Sequence, residues 1–280
     1  MAQITFEPVK ALIGAIAHVD RADLLSDEVA HATLATLEER GVVVFPGLDL
    51  SDAEQLAFTD KLGDRVNFSK SAPGADATAQ DVYKITLDPE INQHAEYVLG
   101  TFFWHVDGAT IDQPLPKATL LSARTLSQSG GQTEFANLYA AWKYLPERDK
   151  AAFESLRVLH TLRSSMRDVV DTIDEESVVL LNKAADMDHP LVWTHHSGRK
   201  SLLLGSHADK VIGMGLAQGR ALIRRLTEWA AQPDFTYSHE WQPGDFVIWD
   251  NCGVMHRVVP YDDPRRTMHR TTLAGLEKVA

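Results

Sequence analysis

Apolar residues in this chain come in short runs closed by glycine or proline, and that punctuation confines it to a fold of many short strands. Gly41-Val-Val-Val-Phe-Pro-Gly47 reads as a buried strand ending in a turn. Asp81 to Leu87 alternates like a strand, and Ala118 to Arg124 is strand-like. Gly130-Gly131 makes a tight turn before a returning strand at Gln132-Thr-Glu-Phe135. Leu191-Val-Trp-Thr194 and Ser201 to Gly205 read as a hairpin around His195 to Lys200. Trp241 to Asp250 is a turn and then an apolar strand, and Thr267 to Ala274 is a last strand. Helical patterns lie between them. One covers 27–39, and one runs from the capping box Ser51–Glu54 to Leu62, with Gly63 as its stop. A third covers 139–155 with a break at Pro146, and a fourth covers 216–231. Many short strands with a few helices predict a mainly β (α+β) fold, a sandwich or jelly roll with helical cover. The length of 280 residues suits one large domain or two small ones.

Charge narrows the partners. A net charge of −12 argues against nucleic acid and against anionic membranes, although a local arginine cluster can still hold a small anion. The apolar runs are too short to span a bilayer. The single cysteine, Cys252, permits no internal disulfide, and no basic region followed by an apolar run opens the chain. A cytoplasmic protein acting on a small molecule is the expectation.

The chemistry gathers around His105-Val106-Asp107. On a strand, residues i and i+2 share a face, so His105 and Asp107 can reach one ion while Val106 turns away. His256, after the apolar strand ending at Asp250, offers a third donor. Two imidazoles and one carboxylate leave coordination positions open, which is the ligand set of non-haem Fe(II) oxygenases; zinc also accepts such donors. The plainer reading pairs His105 with a polar neighbour and lets Asp107 open a turn.

Around this motif, Phe103, Lys84, Asn67, Ser69 and Thr101 are candidate substrate contacts. Phe102, Trp104 and Trp249 either line a pocket or fill the core, and the core is expected for the tryptophans. His195 and His196 sit in the hairpin turn, where exposure is expected, and His189 and His207 have structural or surface roles. Cys252 reads as a buried small residue and the acidic run 171–176 as a solvated segment or a lid.

The ordered series of motifs resembles the TauD/TfdA family of Fe(II)- and 2-oxoglutarate-dependent dioxygenases. The resemblance is carried by Gly41-Val-Val-Val-Phe-Pro-Gly47, Phe103-Trp-His-Val-Asp107 and Ser127-Gln-Ser-Gly-Gly-Gln-Thr-Glu134. It continues through Leu191 to Leu202, Trp241 to Asn251, His256-Arg257 and Arg265-Arg-Thr-Met-His-Arg270. It implies a double-stranded β-helix (a cupin-like jelly roll) in a single domain, residues 1–280. It implies His105, Asp107 and His256 as iron ligands. Arg266 and Thr133 match the residues that hold the distal carboxylate of 2-oxoglutarate. The ten-residue interval from His256 leaves Arg265 as a second candidate for that arginine. Arg270 matches a second active-site arginine, which in the relatives approaches the acidic group of the substrate or the co-substrate. The implied reaction consumes 2-oxoglutarate and O2, releases succinate and CO2, and hydroxylates a C–H bond of a small carboxylate- or sulfonate-bearing molecule. Desaturation or ring closure on a natural-product intermediate, and a non-catalytic 2-oxoglutarate or metal sensor, are the alternatives. A homo-oligomer is implied by resemblance alone.

Overall fold

The computed structural model describes residues 3–66, 82–92, 95–110, 114–169 and 186–279. Its strands are β1 (Ile4–Pro8), β2 (Ala15–Val19), β3 (Val42–Phe45), β4 (Tyr83–Ile85), β5 (Ala118–Thr125), β6 (Thr133–Asn137) and β7 (Arg157–His160). There follow β8 (Met187–Pro190), β9 (Val192–Thr194), β10 (Lys200–Leu202), β11 (Ala208–Val211), β12 (Thr236–His239), β13 (Phe246–Asp250), β14 (Val254–Val258) and β15 (Thr267–Leu273). The helices are α1 (Asp27–Arg40), α2 (Asp52–Leu62), α3 (Ala95–Gly100), α4 (Leu138–Lys143), α5 (Glu147–Phe153), α6 (Leu162–Met166) and α7 (Leu216–Ala230).

A seven-stranded sheet runs in the order β1-β2-β3-β13-β5-β15-β4, antiparallel except where β2 meets β3. A second sheet, β12-β6-β14, packs against it. Alternation decides what lies between them. Val42 and Val44 of β3, Val247 and Trp249 of β13, and Met268 of β15 meet Phe135 and Val254 of the smaller sheet. The intervening residues Val43, Phe45, Phe246 and Ile248 point outward and are covered by Val29, Leu37 and Phe58 of α1 and α2. Burial on both faces explains why β3 and β13 read as continuous apolar runs.

The capping signals hold in space. Ser26 caps α1 through the Val29 amide, and Ser51 with Glu54 forms the reciprocal box at α2. Pro146 divides the expected 139–155 helix into α4 and α5. Gly219, Ile223, Leu226 and Ala230 form the buried stripe of α7, which packs on a third apolar cluster with Trp142, Trp193 and Met255. No helix among the described residues is long and apolar enough to cross a membrane.

Candidate active site

His105 and His256 face each other as an isolated antiparallel bridge. Each amide donates to the other's carbonyl, at 3.0 and 2.9 Å. His256 is the third residue of β14, so the smaller sheet carries it, whereas His105 lies on a single bridged residue and not on the full strand expected. The spacing argument survives, because the short extended stretch still turns His105 and Asp107 to one side while Val106 is buried. His105 Nε2 stands 3.8 Å from Asp107 Oδ1, and His256 Nε2 stands 4.0 Å from Oδ2. One donor atom from each residue falls within 4.8 Å of the other two. Such separations exceed hydrogen bonds and leave a gap among three convergent donors.

Neighbouring groups fix each donor. His105 Nδ1 lies 2.9 Å from the Phe103 carbonyl, which only accepts, so the proton sits on Nδ1 and the Nε2 lone pair faces the gap. Thr119 Oγ1 donates to Asp107 Oδ2 at 2.6 Å, and Asn251 Nδ2 donates to Thr119 Oγ1 at 2.9 Å. Arg270 Nη1 is 3.6 Å from Asp107 Oδ1. Burial would raise the Asp107 pKa, but the Arg270 guanidinium, helped by the Thr119 hydrogen bond, outweighs it and holds the carboxyl well below its usual range. Burial, then the neighbouring His105, keeps the His256 imidazole neutral by pushing its pKa far down. A carboxylate and neutral imidazoles are the forms that bind a metal.

A cavity of about 270 Å³ opens over His105 and Asp107. Tyr83 and Ile85 of β4, Tyr97 of α3, and Leu162 and Met166 of α6 wall it, and Thr101 and Arg270 reach it. Thr101 Oγ1 is turned back onto the Val98 carbonyl at 2.7 Å. Two expected contacts are corrected. Lys84 lies between Tyr83 and Ile85 and therefore faces the other way, exposed to solvent. Phe103 does not line the cavity, and its contribution is the carbonyl beneath His105. Asn67, Ser69 and the 171–176 run lie outside the described residues. Trp249 is core, with its ring 4.6 Å from that of His256, and Trp104 lies under the Arg257 guanidinium.

Arg266 is 1% exposed, and no carboxylate among the described residues pairs with it. Its Nη2 donates to the Gly131 carbonyl at 2.9 Å, its guanidinium lies over the Tyr261 ring, and its Nε has no partner. Gly131 has φ +82°, and a Cβ there would come within 2.8 Å of Arg266 Nε, so the Gly-Gly turn is what admits the guanidinium. Arg265, by contrast, has its side chain 72% exposed and gripped by Asp263. Thr133 is buried, and its Oγ1 accepts from Trp241 Nε1 at 3.0 Å.

The family described as "Taurine catabolism dioxygenase TauD, TfdA family" matches residues 5–272. The chain belongs to the TauD/TfdA family. It is 34% identical to the alpha-ketoglutarate-dependent 2,4-dichlorophenoxyacetate dioxygenase of Cupriavidus pinatubonensis, over 96% of this chain and 97% of that one. An alkylsulfatase of Acinetobacter baylyi is 31% identical over 90% of this chain and 80% of its own length. Among solved structures, AAD-2 in complex with Mn(II) and N-oxalylglycine superposes with a TM-score of 0.82 at 30% identity, covering 99% of this chain and 100% of that one. The fold is accordingly the family's jelly roll, and the chain is a 2-oxoglutarate-dependent dioxygenase acting on a small organic molecule.

As a TauD/TfdA dioxygenase, the chain has a donor set that suits a divalent metal and, at Arg266, a buried guanidinium with no carboxylate beside it among the described residues. Sequence reasoning missed Thr119, Asn251 and the cavity walls on α3 and α6, none of which carries a local signal. It also placed His195 at the surface. His195 instead packs inward, its ring against Trp193 and Tyr139 and its Nε2 2.8 Å from Ser201 Oγ. His196 is exposed and Cys252 is buried, as expected.

Proposed function

We propose that this chain uses Fe(II), 2-oxoglutarate and O2 to hydroxylate a C–H bond of a small aryl substrate bearing a carboxylate. The observation that carries the reading is the placement of Arg270 on the same cavity as His105 and Asp107, beneath aromatic and aliphatic walls. A guanidinium takes a carboxylate through two parallel hydrogen bonds, while Tyr83, Tyr97, Leu162 and Met166 suit an apolar ring. Iron, held by His105 Nε2, His256 Nε2 and the Asp107 carboxylate, supplies oxygen activation and C–H cleavage when bound.

The other residues position and neutralise. Thr119 holds the Asp107 carboxylate in one orientation. Arg266, with Thr133 close to the Gly-Gly turn, takes the distal carboxylate of 2-oxoglutarate. Arg265 is committed to Asp263 and has no part in this. The apolar walls exclude water from the reacting carbon. Where the new hydroxyl lands on a carbon bonded to an ether oxygen, that C–O bond breaks, giving a phenol and an oxo acid beside succinate and CO2.

The test is to supply Fe(II), O2 and 2-oxoglutarate with aryloxyalkanoates, alkyl sulfates and alkyl sulfonates in parallel, and to measure succinate and phenol. Equimolar phenol and succinate from an aryloxyalkanoate is the expected result. Sulfate release from the esters, with the aryloxy acids inert, would shift the assignment to the chemistry suggested by the alkylsulfatase relative. In Arg270→Gln, KM for the acid should rise by about a hundredfold, as for loss of a buried ion pair, while substrate-free 2-oxoglutarate turnover persists.

A further inference from the structure

Packed against the His105–Asp107 segment are three imidazoles that the chemistry above does not use, of which His207 also borders the cavity. Strands β11, β7 and β8 form a small sheet in that order. His160 ends β7, His189 stands in β8, and His207 immediately precedes β11. All three are buried. His207 Nε2 is 3.1 Å from the Val106 amide nitrogen, and His207 Nδ1 is 2.6 Å from His160 Nδ1. His189 Nε2 is 3.2 Å from the Ala109 carbonyl oxygen. The His160 ring lies between the other two, 4.8 Å from His207 and 5.3 Å from His189.

The partners fix the protons. An amide can only donate, so His207 Nε2 accepts and its proton is on Nδ1. That proton goes to His160 Nδ1, which leaves His160 protonated on Nε2. A carbonyl can only accept, so His189 donates from Nε2. The trio therefore holds the ligand-bearing turn on both sides of Asp107, at Val106 and at Ala109. The same loop grips it once more, because the Ser206 amide donates to the Trp104 carbonyl at 2.7 Å. Gly205 makes this approach possible: with φ +146°, a Cβ there would lie 2.7 Å from His207 Nε2 and 3.0 Å from His105 Cα.

We propose that His207, backed by His160 and His189, is a positioning residue that fixes the Val106–Ala109 turn and so aims the Asp107 carboxylate at the metal. The inference rests on reading His105, Asp107 and His256 as metal ligands. Partners behind a ligand set its orientation, and their loss typically weakens metal binding about ten- to a hundredfold.

The experiment titrates Co(II) alone into the metal-free protein, without co-substrate, and follows the visible absorption. His207→Leu removes the acceptor at similar volume and is expected to weaken Co(II) binding about ten- to a hundredfold. His207→Gln places an oxygen where Nε2 stood and is expected to restore most of the loss. Unchanged affinity in a folded His207→Leu protein, or an equal loss in both variants, overturns the positioning role. His256→Ala separates the two readings, because Co(II) binding unchanged in that variant overturns the triad assignment itself. If the His207 variants do not fold, imidazole ¹⁵N NMR on the unaltered metal-free protein decides. A proton on Nδ1 of His207 and on Nε2 of His160 and His189 is expected, and Nε2 protonation of His207 overturns the proposal.

Discussion

Asp250 is a fully buried carboxylate and Asp107 one that keeps 11% of its side chain exposed, and their surroundings are opposite in kind. Asp250 accepts from the Cys252 amide at 3.0 Å and the Tyr139 hydroxyl at 3.3 Å, and it pairs with Lys117 at 3.2 Å. Lys117 also binds Glu38, which in turn takes Arg199. Each charge there has its counter-charge. Around Asp107, two imidazole nitrogens and a guanidinium converge without closing on it, at 3.8, 4.0 and 3.6 Å. Cavity size does not separate the two regions, since the space beside Lys117 and Tyr139, about 470 Å³, exceeds the 270 Å³ over His105 and Asp107. What marks the active site is a set of convergent donors held apart at distances longer than hydrogen bonds. A buried polar network closed upon itself holds the fold, and one left open binds.

Substitution on each side should break different properties. Asp107→Ala removes a metal donor and is expected to lower succinate formation by at least about a thousandfold, roughly 4 kcal/mol in barrier. Its metal-free melting temperature should stay close to that of the parent protein. A variant with substantial turnover would remove Asp107 from the site. Lys117→Met strands the buried Asp250 charge. Breaking one half of a buried pair costs about 3–5 kcal/mol, so the urea midpoint should fall sharply while kcat/KM of the folded fraction holds. If stability is unchanged, the second region is not the closed network described here.

The two arginines next to each other sharpen the contrast within the active site. Arg266→Met takes away a buried cation that lacks a counter-charge, and is expected to raise KM for 2-oxoglutarate about a hundredfold. The metal-free protein should be no less stable for the change. Arg265→Met should leave both quantities alone, because that side chain is solvated and held by Asp263. Equal effects of the two substitutions would contradict the assignment.

The same residues show what a sequence can and cannot reveal. The triad was legible because strand parity puts residues i and i+2 on one face, a rule that even the short bridge at His105 obeys. Parity also places His269 outward, where it meets Asp52 at 2.6 Å. Lys84 was readable by extension: it stands opposite His269 in the β4–β15 register, so it shares that outward face and never sees the cavity. Arg265 and Arg266 could not be separated in advance. They are chain neighbours just before a register shift between Thr267 and Met268, and only packing shows which one turns inward. Thr119 reaches Asp107 and Asn251 because β5 pairs with β13, a long-range register that no local pattern encodes. His195 failed for the converse reason: Gly198 correctly signals a turn, but the packing of His195 against α4 is decided elsewhere in the chain.

The smallest expected effect is one of pH, read at His195. His195 borders the closed network, with Nδ1 3.9 Å from Glu277. Burial lowers its pKa from 6.5 to about 4, with Glu38 opposing and Lys117 and Arg199 reinforcing the shift. The native state therefore disfavours a proton that the unfolded chain accepts. Stability from this residue is complete above pH 6.5 and is lost as the pH falls toward 4. Asp107 behaves differently, because a carboxyl held below its ordinary value of 3.8 costs stability only under more acid conditions than these. Melting temperatures of the metal-free protein between pH 7 and pH 4.5 should thus decline, and His195→Asn should decline less steeply than the parent protein. His160, His189, His207, His256 and His269, whose pKa values are also lowered by burial, keep part of the slope in the variant. Parallel curves for the two proteins would mean that His195 takes up its proton in the folded state as readily as in the unfolded one, and its packed side chain would have to be open to water.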